Sequence, residues 1–204
     1  PFAMQADGDL NFIDVVGERG VMTKTLPFAA THGVGAVQYN QLAQRLAVGT
    51  NDGHFSLVDI AYKPAYGAGN QRTIEAELRA GDLLAIGRPG VPVAMIGYAD
   101  AGARKLAVAK QIVDGRMELH AVTLAQRRTL MGGGRITLDR TYDLTGLITG
   151  SIDKFLVAAQ ADSVLIATTE GELIYLFLDG GEFYVRQRLK PFAHLPDARV
   201  KLLN

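Results

Sequence analysis

The sequence predicts an all-β fold of β-propeller-like, WD40-like blades, possible as an incomplete propeller, with a β-sandwich as the alternative. Three observations carry this expectation. Short apolar runs with β-branched residues alternate with glycine-bearing turns along the chain. An acidic residue followed by glycine recurs at Gly8, Gly53, Gly115 and Gly171, roughly 45 to 60 residues apart, a period that suits four-stranded blades. Small residues, Ala47 and Gly49, Ala107 and Ala109, and Ala167, punctuate the apolar runs and fit inner strands crowded near an axis.

The stretch Arg45–Ile60 is the pattern for the rest. Leu46-Ala47-Val48-Gly49-Thr50 reads as a strand. Asn51-Asp52-Gly53 supplies the positive φ angles that a two-residue hairpin turn demands. The returning strand points Phe55, Leu57 and Asp59 one way and Ser56, Val58 and Ile60 the other. Upstream, Met4–Val15 holds an Asp-Gly turn and a strand, and the strand before that turn is nearly absent. The sequence is therefore expected to begin inside a repeat. Gly17–Gly20 reads as a turn, Val21–Phe28 as a strand, Thr31–Gly35 as a loop, and Val34–Tyr39 as a strand pairing with Arg45–Thr50.

Downstream, Pro64, Gly67 and Gly69 make Ala61–Asn70 a loop. Gln71–Leu78 reads as a strand, because Thr73 and Ile74 are β-branched and Gly81-Asp82 ends the run before a helix could form. Val93–Tyr98, Arg104–Ala109, Gln111–Arg116 and Met117–Leu124 give the next unit. Thr129–Gly134 is a turn and Arg135–Asp143 a strand. The last unit approaches through Ile148–Ala158. It forms a hairpin over Val164–Phe177 and ends in the strand Glu182–Leu189. The tail beyond Pro191 holds Pro196 and Leu202-Leu203, an edge strand or the start of another element.

Composition excludes several functions. The 204 residues carry 21 basic and 21 acidic side chains, so the net charge of zero gives no basic footprint for nucleic acid or anionic lipid. The absence of cysteine removes disulfides, thiolate metal sites and a cysteine nucleophile, and the absence of tryptophan departs from a literal WD40 motif. The start at Pro1-Phe2-Ala3-Met4 has no basic or apolar leader pattern, so no signal peptide is expected. The most apolar stretch, Leu83–Ala99, is interrupted by Arg88, Pro89, Gly90 and Pro92 and cannot span a bilayer as a helix.

No catalytic, cofactor-binding or metal-binding residue is assigned from the sequence. His32, His54, His120 and His194 are not spaced i, i+4 on a helix, nor set beside a carboxylate in a ligand pattern. They read as solvent-facing, although His54 and His120 follow turns of equivalent units. Asp7-Gly8-Asp9 and Asn51-Asp52-Gly53 resemble pieces of calcium loops but lack the remaining oxygen ligands. Gly132-Gly133-Gly134 leads into a strand, where a phosphate loop needs a helix. Ser56, Ser151 and Ser163 have no nucleophile elbow. Tyr62, Tyr66, Tyr175 and Tyr184 read as cross-strand packing.

The run Asn-Asp-Gly-His-Phe-Ser-Leu-Val-Asp-Ile-Ala-Tyr-Lys-Pro-Ala-Tyr from Asn51, followed by Gln-Arg-Thr-Ile-Glu-Ala-Glu-Leu to Leu78, resembles a segment of the large form of the phosphate ABC-transporter permease subunit. The likeness covers about thirty residues. It consists of a glycine hairpin, a Tyr-x-x-x-Tyr element (Tyr62 and Tyr66) and a Thr-Ile-x-x-x-Leu-like strand (Thr73, Ile74, Leu78). That family inserts a large extramembrane domain after its first transmembrane helix. The resemblance implies that residues 1–204 are a single propeller-like domain, a fragment of a longer inner-membrane protein, facing the periplasm. It implies no enzyme and no cofactor. Its partners would be the periplasmic phosphate-binding protein and the other transporter subunits. No phosphate-binding residue carries over, because the sequence holds no transmembrane segment. About four units make a small or incomplete ring, so either further blades lie outside this sequence or two copies associate as a homo-dimer. The alternative is a small-ligand-binding or enzymatic propeller with Tyr62–Asn70 and Arg88–Pro92 as the site rim.

Overall fold

A computed structural model describes residues 2–5, 7–12, 22–66, 72–128, 134–191 and 193–194. Strands β1 (Phe2–Met4), β2 (Asp9–Phe12) and β3 (Met22–Thr25) form a first sheet, and a four-residue helix, α1 (Ala29–His32), leads out of it. The second sheet holds β4 (Ala36–Asn40), β5 (Arg45–Gly49), β6 (His54–Tyr66) and β7 (Arg72–Ala80), with the short β8 (Leu84–Ala85) against the start of β6. The third holds β9 (Val93–Asp100), β10 (Lys105–Val113), β11 (Arg116–Arg128) and β12 (Gly134–Asp143). After a 3-10 turn at Thr145–Leu147, the fourth holds β13 (Ile152–Val157), β14 (Ser163–Thr168), β15 (Leu173–Asp179) and β16 (Glu182–Leu189). The fold is all-β. Among the described residues the strands of each sheet follow one another in chain order, every pairing is antiparallel, and no sheet closes on itself.

The period-2 alternation of the strands dictates how the sheets stack. Leu46, Val48, Val58 and Ile60 of the second sheet meet Leu10, Phe12 and Leu26 of the first. From the opposite face of the second sheet, Ala47, Phe55 and Leu57 meet Ile96, Ala107, Ala109 and Val122 of the third. Leu106, Val108, Leu119 and Ala121, on the far face of the third sheet, meet Val164, Ile166, Ile174 and Leu176 of the fourth. Three apolar layers in series therefore hold four sheets. The small residues read from the sequence, Ala47, Ala107, Ala109 and Ala167, are fully buried on the second strands of their sheets.

The first strands of successive sheets also touch, β4 against β9 and β9 against β13. Two glycines permit the approach. A Cβ on Gly49 would run into Val93, and one on Gly97 would lie 2.7 Å from the Phe155 ring and 2.8 Å from Val157. Polar groups join the second and third sheets at the same edge. Gln38 Oε1 accepts the Tyr98 N–H, and Arg45 reaches both the Tyr98 hydroxyl and Asp100, each at 3.3 Å. Lys105, 5% exposed, donates to Asp100 at 2.9 Å and to the Gly102 carbonyl at 2.6 Å, so its ammonium is buried but paired.

The outermost faces differ in chemistry. On the first sheet Thr23 donates to Asn11 at 2.7 Å and Thr25 to Asp9 at 2.5 Å, so that face is polar. On the fourth sheet the face away from the third carries half-buried Leu156, Leu165, Tyr175 and Phe177, with Arg186 over the Phe177 ring at 5.1 Å.

Three of the glycine turns are one structure. A three-residue loop is closed by Gln5 N–H to Asp9 O, by Thr50 N–H to His54 O and by Thr168 N–H to Glu172 O, with glycine third in each loop at φ 90°, 84° and 76°. The fourth turn is shorter. Of these four, Asp114-Gly115, with φ of 49° and 75°, is a two-residue primed turn. The expectation of a two-residue turn at Asn51-Asp52-Gly53 is corrected accordingly: the loop has three residues and φ is positive at Gly53 alone.

Four further expectations are revised. Ala61–Tyr66 is strand, not loop: β6 runs through Pro64, which pairs with Ile74. Past Asp59 the strand has lost β5 as a neighbour, so a missing N–H on the open side costs nothing. Tyr62–Tyr66 is therefore no loop rim. Thr31-His32 ends a helix rather than opening a loop. Arg104–Ala109 and Gln111–Arg116 are not two strands, because β10 runs on to Val113 in unbroken register with β11, the bulge opposite Lys110/Gln111 lying at Ala94 of β9. The readings at Ile13–Val15, Gly17–Gly20, Gly67–Asn70, Gly132-Gly133, Pro196 and Leu202-Leu203 lie outside the described residues.

Gly97→Ala is expected to destabilise by about 1–3 kcal/mol through overpacking against β13. Urea unfolding should show a lower midpoint at an unchanged m-value.

Candidate functional site

The turn between β5 and β6 carries a cluster that the linear sequence does not announce. Thr50 is buried at its start. Its hydroxyl accepts the His54 N–H at 3.0 Å and donates to Asp52 Oδ1 at 2.6 Å. The Asn51 N–H donates to the His32 carbonyl at 3.0 Å, which pins the end of α1 to the turn. Gly33, at φ 65°, packs on the Asn51 side chain. From the other side the Gly90 N–H donates to Asp52 O at 2.8 Å and the Ile86 N–H to Gly53 O at 3.0 Å. A Cβ on Gly53 would collide with the Arg88 carbonyl. Helix end, turn and the 86–90 segment thus form one braced unit.

This unit brings His32, Asp52 and His54 together. His32 Nδ1 lies 2.6 Å from Asp52 Oδ2, and His54 Nδ1 lies 3.2 Å from Asp52 Oδ1. One donor atom from each residue falls within 4.8 Å of the others, and the two imidazoles meet edge to face at 6.2 Å between ring centres. The three side chains are 29%, 36% and 34% exposed, so the cluster faces a solvent-accessible rim. Burial would raise the Asp52 pKa, but the hydrogen bonds from His32, Thr50 and His54 overcome it and hold the carboxyl well below the usual range.

The expectation that His32 and His54 are not set beside a carboxylate is thereby corrected, while both remain about one-third exposed. Twenty residues separate His32 from Asp52, and contact comes only from α1 folding onto the turn. The signal available in the sequence was the Asp-x-His pair at Asp52 and His54, next to a histidine in the preceding connection. His120 behaves differently. Its Nε2 lies 3.0 Å from Glu118 Oε2, and Arg88 holds the same carboxylate at 2.8 and 2.9 Å. The two post-turn histidines therefore serve separate carboxylates. His194 is exposed in a turn.

The remaining candidates have structural partners. Asp7 accepts the Asp9 N–H at 3.1 Å. Ser56 is buried and donates to the Gly81 carbonyl at 3.0 Å. The Ser163 hydroxyl donates to Asp162 at 3.0 Å, and the Ser151 carbonyl accepts the Thr169 N–H at 2.9 Å. Gly134 opens β12. Tyr184 packs on Phe177 as a cross-strand pair, whereas Tyr175 lies beside Phe177 on the same strand and Tyr62 packs edge-on to Phe12 of the first sheet. Tyr66 departs from that expectation, at 68% exposed. Between the second and third sheets a groove of about 440 Å³ is lined by Arg45, Asp59, Arg79, Asp82 and Arg135, with Arg135 and Asp82 paired at 2.6 Å.

No family model matches the chain, and no curated protein matches it. Among the described residues no helix is long and apolar enough to cross a membrane.

The depressed Asp52 pKa links the cluster to acid stability. Its contribution is fully present above the ordinary carboxyl value of about 4 and is lost as pH falls toward the lower folded value. Asp52→Asn should therefore flatten the fall in unfolding midpoint below about pH 5, measured by thermal unfolding across a pH series.

Proposed function

We propose that the chain is the periplasm-facing domain of a large-form phosphate ABC-transporter permease subunit, built of propeller-like blades and acting through protein contacts. The observation that carries this reading is the β6–β7 ribbon, which contains the residues of the resemblance. Beyond Asp59 the two strands pair only with each other. One face of the ribbon sets Tyr62 opposite Ala76, Pro64 opposite Ile74 and Tyr66 opposite Arg72. Tyr62, Tyr66 and Ile74 are 45%, 68% and 60% exposed. Exposed tyrosines beside an aliphatic side chain and an arginine are the residue types that dominate protein interfaces.

The blade reading is supported by sheets that meander in chain order, stack face to face, and bring their first strands β4, β9 and β13 side by side. The second and fourth sheets also share one turn at the same place, between their second and third strands at Gly53 and Gly171, and the first sheet repeats that turn at Gly8 between β1 and β2. The partner proposed for the ribbon is the periplasmic phosphate-binding protein. A homo-dimer through the apolar outer face of the fourth sheet is the competing assembly.

Immobilised chain should retain that binding protein, and Tyr66→Ala with Ile74→Ser should weaken retention at least about tenfold, as loss of hot-spot residues does. No retention at high concentration would remove the docking role. A parent gene without hydrophobic helices flanking this segment would remove the transporter assignment.

A further inference from the structure

We propose that His32, Asp52 and His54 form a binding site for a divalent transition metal of the zinc type, through two imidazole nitrogens and one carboxylate oxygen. The donor set is the first reason. Two histidines and a carboxylate suit zinc and its neighbours, and they leave coordination positions for water or a small anion.

Distance is the second. Ligand atoms about 2.0–2.2 Å from a tetrahedral centre stand roughly 3.3 Å apart. His54 Nδ1 already lies 3.2 Å from Asp52 Oδ1, and His32 Nδ1 lies 2.6 Å from Asp52 Oδ2. The two contacts use different oxygens of Asp52, and the three donor atoms lie within 4.8 Å of one another, so an entering ion must draw the set together by roughly an ångström as it exchanges the His32 hydrogen bond for a metal bond. The carboxylate is oriented by the Thr50 hydroxyl at 2.6 Å, the kind of outer contact that steadies a metal ligand.

The third reason comes from the sister turn between β14 and β15. There Thr168 N–H bonds Glu172 O, the Glu172 N–H bonds Thr168 Oγ1, and the Thr169 N–H bonds the Ser151 carbonyl. These match, bond for bond, the contacts of Thr50, His54, Asn51 and His32. At the matching places the sister turn carries Ser151, Glu170 and Glu172. The backbone arrangement therefore forms without any histidine. Convergence of two imidazoles on Asp52 is an addition to the turn, not a requirement of it, and a metal accounts for the addition. This site stands independently of the partner proposed above.

The test is zinc titration of the full chain by calorimetry, with metal content measured after dialysis. One equivalent of zinc is expected, with a rise in melting temperature. His32→Ser, which installs the sister-turn residue, and His54→Ala should each weaken affinity at least about tenfold, whereas His120→Ala should not. Cobalt on the unaltered chain gives a readout free of any folding defect: intense visible bands of a four- or five-coordinate site are expected. Absence of zinc binding at millimolar metal, affinity retained in both His32→Ser and His54→Ala, or a cobalt spectrum like that of the hydrated ion would each overturn the proposal.

Discussion

Everything in this molecule depends on covering sheets that are apolar on both faces. A strand such as Arg45–Gly49 alternates Leu46 and Val48 with Ala47, and all three are fully buried. Neither face tolerates water, so the second sheet must lie between two others, and so must the third. Stacking in series is the physical answer, with each layer of side chains shared by two sheets. The outer face of the first sheet is polar, with Thr23 and Thr25 bonded to Asn11 and Asp9. The fourth presents leucines and aromatics instead, a surface suited to further packing.

The stack also makes the sites. Because the sheets approach closely at Gly49 and Gly97, their connecting segments are drawn onto the turns of the next sheet. Helix α1 closes on the 50–54 turn, and the segment around Ser151 closes on the 168–172 turn. Each junction sets two stretches of chain side by side on a rigid scaffold, and side chains there vary without disturbing the backbone bonds. The histidine cluster occupies one such junction. The β6–β7 ribbon outruns the apolar layer beneath the first sheet: Ile60, Tyr62 and Ala76 still pack toward that sheet, whereas Ile74 and Tyr66, nearer the tip, face outward.

Much of the strand content was legible because it rests on local patterns. Val164–Phe177 and Glu182–Leu189 alternate cleanly and end in glycine turns, and they fold as read. Pro64 misled, because proline argues against a strand only where both edges are paired. Lys105–Ala109 and Gln111–Val113 proved to be one strand, because β10 pairs with β11 in unbroken register and the extra residue of the bulge, Ala94, sits in the neighbouring β9. The histidine cluster was illegible for a different reason. Its members belong to separate elements, and nothing in their spacing encodes the angle at which α1 meets the turn.

By itself the sequence determined the class: an all-β chain, its hairpin turns, and the faces that must be buried, because alternation and glycine placement act over a few residues. Tertiary structure alone decided which face meets which sheet, that Tyr62 to Tyr66 would project on a ribbon, and that His32 would reach Asp52. Those outcomes depend on contacts between residues distant in the chain, and only packing of whole sheets brings such residues together.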